Sequence, residues 1–280
     1  MNPNQDRSAR LPVKSNLKLI YTSSLLITIL MAIASIAGLQ YSTIIYPTDE
    51  LLRSFVPNDV VNIFIVLPIL LGSMWLAWRG KLIGLLFWSG ALFIVLYNYL
   101  VYIFAGTLNV VSLLHLILVT MSVYTLIALV ASIDGKAVKQ RLTGAVPERL
   151  SGGILAGLGT LFFLRVIAVI VSALTNQTPI AETELALLST DFLTAPAWVI
   201  GGVLLWQRKE LGYVAGLGLL FQASMLFIGL IIFLIIQPFL TTAPFVLTDV
   251  VVIFIMGLIC FIPFTLFVRG VVSKRNPSST

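Results

Sequence analysis

The sequence predicts an all-α, polytopic integral membrane protein with eight transmembrane helices, and three observations lead there. Of its 280 residues 59% are hydrophobic and only 10% are charged, with a mean hydropathy of +1.06. An average soluble domain is about 25% charged, and a soluble chain of this length has no single core able to hide so much apolar surface. The apolar residues fall into eight runs, each near the roughly 20 residues that cross a bilayer. The basic residues collect in alternate connections, which selects one orientation. A soluble enzyme, a nucleic-acid binder and a disordered scaffold are excluded.

The first span, 19–39, follows a basic segment with Arg7, Arg10, Lys14 and Lys18. Ala32-Ile33-Ala34 would suit a leader peptide, but the apolar run exceeds a usual leader core. The second and third spans, 60–78 and 82–105, are joined only by Arg79-Gly80-Lys81, which demands a tight hairpin. The fourth, 110–132, precedes a polar interruption read as a cytoplasmic linker over 136–148. The fifth is 152–174. The sixth and seventh, 191–206 and 211–236, meet at Gln207-Arg208-Lys209-Glu210, and the eighth is 249–268. With both termini inside, all of the 17 basic residues but Arg53 and Arg165 lie on the cytoplasmic face. Asp49, Glu50, Asp59, Glu182, Glu184, Asp191 and Asp249 collect on the other. The predicted organisation is a basic tail over 1–18, a four-helix unit over 19–135, the linker, a second unit over 149–270 and a tail over 271–280.

The two units are predicted to form a parallel tandem repeat. Asp59-Val60-Val61-Asn62-Ile63-Phe64-Ile65 aligns with Asp249-Val250-Val251-Val252-Ile253-Phe254-Ile255, and each stretch leads to an Arg-Gly, at Arg79-Gly80 and Arg269-Gly270. Four helices per unit is an even number, so the units share one orientation. Every inward-running helix is predicted to open on a cap: Asp59, Asn109, Asp191 and Asp249. A carboxylate or amide oxygen there accepts the free backbone N–H groups and suits the positive end of the helix dipole.

The segment Leu67-Pro68-Ile69-Leu70-Leu71, then Trp75-Leu76-Ala77-Trp78-Arg79-Gly80 and Leu96-Tyr97-Asn98-Tyr99, resembles an uncharacterised group of multi-pass membrane proteins from bacteria and archaea. Gly212-Tyr213-Val214 fits the same group. The resemblance covers residues 55–130 and, more loosely, the second half. It implies a multi-pass protein of a prokaryotic plasma membrane and supplies no catalytic residue.

Polar groups inside a span are costly and therefore informative. Asn62, Asn98, Tyr102, His115 and Arg165 all fall in the outer half of their spans, Arg165 some 21 Å along its helix from Ser151 at 1.5 Å per residue. They are the candidate ligand-binding residues of a polar pocket opening outward. Each also has a duller account: the tyrosines as an interfacial belt, His115 as a donor to a nearby carbonyl, Arg165 as a snorkelling side chain. The pocket would take a small anionic or carbonyl-bearing ligand, with Arg165 supplying the charge.

No catalytic residue is predicted, because no zinc-helix, nucleophile-elbow or phosphate-loop motif occurs and no acids pair within the membrane. The chain is not expected to be an enzyme. One histidine and one cysteine leave no basis for a metal site or a cofactor. The expected function is a small-solute carrier or ligand-binding membrane module. The alternative is a non-transporting structural or accessory subunit. The lipid bilayer is the other expected partner, no nucleic acid is expected, and a protein partner is left open.

Overall fold

A computed structural model describes residues 11–106 and 109–273. The described residues fold into helices: α1 (Lys18–Gln40), a single turn α2 (Ser42–Ile45), α3 (Asp49–Trp78), α4 (Leu82–Ala105), α5 (Val110–Ser132), α6 (Gly135–Leu142), α7 (Glu148–Asn176), α8 (Glu182–Trp206), α9 (Glu210–Leu240) and α10 (Leu247–Ser273). All but α2 and α6 are long and apolar enough to cross a membrane, which makes eight. The tail residues Arg7, Arg10, Lys274 and Arg275 lie outside the described residues.

Three of the predicted caps are corrected. α3 begins ten residues before Asp59, and its cap is Thr48, whose Oγ1 accepts the Leu51 N–H at 3.2 Å. The acids Asp49 and Glu50 fill the first turn, where the helix dipole favours them. The segment 49–59 is continuous with the span: Leu51, Phe55 and Asp59 are buried on one face, and that burial holds the helix. In the same way α8 starts at Glu182, so Asp191 lies well inside it. Asp249 sits in the first turn of α10 and not at its cap. Asn109 does cap α5: its Oδ1 accepts the Ser112 N–H at 3.0 Å, and Ser112 Oγ accepts the Asn109 N–H at 3.1 Å. The two bonds form a reciprocal capping box.

α3 widens into a π turn over Asn62–Val66, where the Leu67 N–H reaches back to the Asn62 carbonyl. The cause is Pro68. Proline donates no N–H, and its ring crowds the carbonyl four residues earlier, so the preceding turn opens. The extra residue rotates what precedes it, including Asn62, relative to the rest of α3.

α4 is the central post. It packs against α3, α5, α8, α9 and α10, and most of its length is buried. Its approach to α9 is closest at Gly90 and Gly218, where a Cβ on Gly90 would run into the Gly218 carbonyl oxygen. Such contacts between small residues replace the hydrophobic driving force that is missing between helices in lipid. Outward faces carry bare apolar side chains, such as Leu113 and Ile127 on α5, Leu164 on α7 and Ile262 on α10.

The segment between the fourth and fifth spans is structured. Asp134 Oδ1 accepts the N–H groups of Lys136 and Ala137 and starts α6, which buries Val138 and Leu142 and packs on α9. Beyond it, Glu148 accepts from the Gly144 N–H at 3.0 Å and the Tyr213 hydroxyl at 2.9 Å. Arg208 stands 3.9 Å from its other oxygen. This cluster ties the start of α7 to the α8–α9 hairpin at the end of the bundle opposite to the start of α3.

Candidate functional site

A cavity of about 680 Å³ opens in the half of the bundle where α3, α8 and α10 begin. Ligand sites commonly hold about 300–1,000 Å³. Its wall on α3 runs from Ser54 to Ile69, roughly 22 Å at 1.5 Å per residue. α4 supplies Ile94, Tyr97, Asn98 and Val101; α7 supplies Leu161, Phe162 and Arg165; α8 supplies Thr183, Leu187, Asp191 and Trp198. α9 contributes the stretch from Met225 to Gln237, and α10 adds Ile253 and Met256. The wall is mostly aliphatic and aromatic. Beyond Ile69, Trp198 and Met225 the helices close over fully buried Leu85, Leu86, Leu217 and Leu220.

Two polar clusters flank α4, each built around a buried aspartate. On the α8 side, Asp191 Oδ1 accepts the Tyr97 hydroxyl at 2.9 Å, and its Oδ2 lies 3.4 Å from Arg165 Nη1. Arg165 Nη2 is also 3.6 Å from Glu184 Oε1. The Arg165 side chain keeps 43% of its surface accessible and lines the cavity. The fork of the guanidinium spans two carboxylates at once, which a lysine could not reproduce.

On the α3 side, Asp59 is 1% exposed. Its Oδ2 accepts the Tyr46 hydroxyl at 2.7 Å, and its Oδ1 accepts the Tyr102 hydroxyl at 2.8 Å. The Tyr102 oxygen in turn accepts from Asn58 Nδ2 at 3.1 Å and Asn62 Nδ2 at 3.4 Å. Asn98 Nδ2 donates to Asn62 Oδ1 at 2.8 Å and completes the chain back to the cavity. Gly38 of α1 makes room for this cluster, since a Cβ there would strike the Asp59 carboxylate. Among the described residues Asp59 has no ion-pair partner. The hydroxyl donors are therefore what compensate for its burial.

The five predicted pocket residues separate into two layers. Arg165 and Asn98 line the cavity. Asn62 and Tyr102 lie behind the wall and reach it through Asn58 and Asn98. His115 is buried farther back, its ring 4.9 Å from that of Tyr102 and 5.3 Å from that of Tyr99. It packs on the tyrosines and does not line the cavity. The sequence reading missed Asn58, Tyr97, Asp191 and Gln237 as cavity residues. The sequence reading makes Asp191 a helix cap and gives Asn58 no role. The apolar run Leu185-Ala186-Leu187-Leu188 before Asp191 was the signal that the helix begins earlier.

Among the described residues no three His, Cys, Asp or Glu side chains converge to hold a metal ion. The chemistry on offer is recognition: an apolar chamber with hydrogen-bonding groups and one ion pair along its sides. Comparison with known protein families, with curated proteins and with solved structures finds no match to this chain.

Proposed function

We propose that the protein is a ligand-binding membrane module of the carrier type, which admits a small amphiphilic solute to this cavity from the outer face of a prokaryotic plasma membrane. The observation that carries the reading is the cavity itself. It is large and apolar, sealed towards one end of the bundle by packed leucines, and edged by Arg165, Asp191, Tyr97, Asn58 and Asn98. The outward orientation rests on both termini lying in the cytoplasm, as the basic residues require.

The reading includes two parallel four-helix units. The packing supports this: α1 meets α3 and α5 as α7 meets α8 and α10, and each third helix, α4 or α9, touches the second and fourth helices of its own unit. Each third helix also touches the second helix of the other unit, α4 on α8 and α9 on α3. Asp59 and Asp191 occupy similar depths on the two second helices, and both receive a tyrosine hydroxyl from α4. A cavity at such an interface is where carriers built from repeats hold their solutes.

The test is a thermal-shift screen of the purified chain against amphiphiles of different charge, run beside Gly229→Phe. A binder raises the melting temperature in proportion to the logarithm of its concentration. A Cβ on Gly229 meets only Val61 Cγ1, at 3.6 Å, so a side chain there enters the cavity. A stabilisation seen in the parent and lost in Gly229→Phe supports the reading. No stabilisation by any amphiphile leaves the structural-subunit alternative in its place.

A further inference from the structure

The hydrogen-bonding polarity of the cavity runs opposite to what its one deep arginine suggests. Arg165 is the sole Lys or Arg in the wall, and its charge is already engaged by Asp191 at 3.4 Å and Glu184 at 3.6 Å. An incoming anion would have to displace one carboxylate and sit beside another, and like charges brought together in a poorly hydrated site repel strongly.

The neutral groups lean the same way. Tyr97 spends its only hydrogen on Asp191. Asn58 donates to Tyr102, Asn98 donates to Asn62, and Gln237 Nε2 donates to the Arg53 carbonyl at 2.9 Å. Each amide thus turns an N–H into the protein. The carbonyl oxygens of Asn58, Asn98 and Gln237 accept nothing from the described residues. Behind them lies Asp59, which has no ion-pair partner among the described residues. Three amide oxygens on the polar side of the cavity therefore lack a donor, beside an ion-pair cluster with one carboxylate in excess, and most of the remaining wall is hydrocarbon.

We propose that the cavity binds an amphiphilic cation: a primary ammonium group on an apolar body. This deepens the ligand-binding reading and rests on it. A primary ammonium carries three N–H donors and no acceptor, the complement of these three free oxygens. Hydrogen bonds from a charged donor are roughly twice as strong as neutral ones. Its chain would lie along the apolar wall of α9 and α10, away from Asn58 and Asn98.

The experiment is isothermal titration calorimetry of the full chain in neutral maltoside micelles with four probes of equal chain length: decylammonium, decyltrimethylammonium, decanol and decanoate. Identical titrations into Gly229→Phe subtract partitioning into micelles, and Leu234→Trp, on the same wall, is the second plug if the first variant does not fold. The expected result is saturable decylammonium binding that the plug abolishes, tighter than decanoate by about tenfold or more, which is about 1.4 kcal/mol. Decyltrimethylammonium, which keeps the charge and loses the donors, should bind more weakly than decylammonium. Glu184→Gln, at a half-exposed position, releases one partner of Arg165 and should narrow the preference for ammonium over carboxylate. Decanoate binding as tightly as decylammonium, or an unchanged preference in Glu184→Gln, overturns the cation assignment and leaves the ligand cavity standing. Absence of plug-sensitive binding for all four probes overturns both.

Discussion

Tyr102→Phe removes a single oxygen, and the structure says that this oxygen holds three polar groups. It donates to Asp59 Oδ1 at 2.8 Å and accepts from Asn58 at 3.1 Å and Asn62 at 3.4 Å. The ring itself is kept, together with its contacts to Phe55, Tyr99 and His115, so the substitution isolates the hydroxyl. Losing one hydrogen bond of this kind costs about 1–2 kcal/mol. Asn58 stands in the cavity wall and can turn to another partner. Asn62 is fully buried, and an orphaned buried amide adds about 1–3 kcal/mol. The total is about 3 kcal/mol. Tyr97→Phe is the matched control: it removes one bond to Asp191, which keeps Arg165, and should cost about 1 kcal/mol. The assay is reversible unfolding in mixed micelles, parent and variants side by side. Equal losses for the two variants, or a larger loss for Tyr97→Phe, would refute the reasoning that Tyr102 is the hub of the network.

Three further outcomes are expected. Arg165→Met should destabilise by about 2 kcal/mol and by more than Asp191→Asn in the same unfolding assay, because removing the cation strands a buried carboxylate, whereas removing the carboxylate leaves an arginine with Glu184 still beside it. Asn109→Ala should cost about 1 kcal/mol of stability as the loss of a true cap, while Asp249→Ala, in a first turn, should cost only the few tenths expected of a charge near the helix dipole, again read by unfolding. A lone cysteine introduced at position 139 (with Cys260 replaced) should resist an impermeant maleimide in intact cells and react after permeabilisation; labelling in intact cells would reverse the orientation.

The eight helices were legible because their signal is long and local: some twenty apolar residues leave few alternatives in a bilayer. Their beginnings were not. Residues 49–59 and 182–190 carry acids and an arginine, and they read as short capped helices along the outer surface, not as the first turns of the spans. What keeps them helical is one-sided burial of Leu51, Phe55, Ala186 and Leu188, which is a tertiary fact. That error turned Asp59 and Asp191 into caps and hid them as the centres of two clusters. Arg165 and Asn98 could be found in the sequence because a polar side chain in an apolar run stands out. The pairing of Arg165 with Asp191 follows from their depth; the tyrosine partnerships do not: Tyr97 meets Asp191 across 94 residues, and Tyr102 meets Asp59 across 43. The π turn was not legible in the sequence, and its consequence, the aim of Asn62 towards Tyr102 and Asn98, depends on where α4 stands.

The size of the cavity constrains what it is for. A void costs about 24 cal/mol per Å³. A closed, dry void of about 680 Å³ would cost about 16 kcal/mol, more than the whole stability of a typical folded chain, about 5–15 kcal/mol, so this open chamber does not stay empty. In a bilayer the chamber is therefore filled, and the question becomes which filling its wall favours. A lipid tail satisfies the aliphatic lining. It also strands the oxygens of Asn58, Asn98 and Gln237, at about 1–3 kcal/mol for each group left unpaired. Water satisfies those oxygens and wets the apolar remainder, at about 25 cal/mol per Å² of surface. An occupant with hydrogen-bond donors at one end and hydrocarbon along its length meets both demands. A scaffold would have met them more simply, with a few leucines in place of the cavity. The fold instead directs one N–H of each of three amides inward, across α3, α4 and α9, and leaves their oxygens free, and that consistent direction is the strongest argument that the chamber is shaped for a ligand.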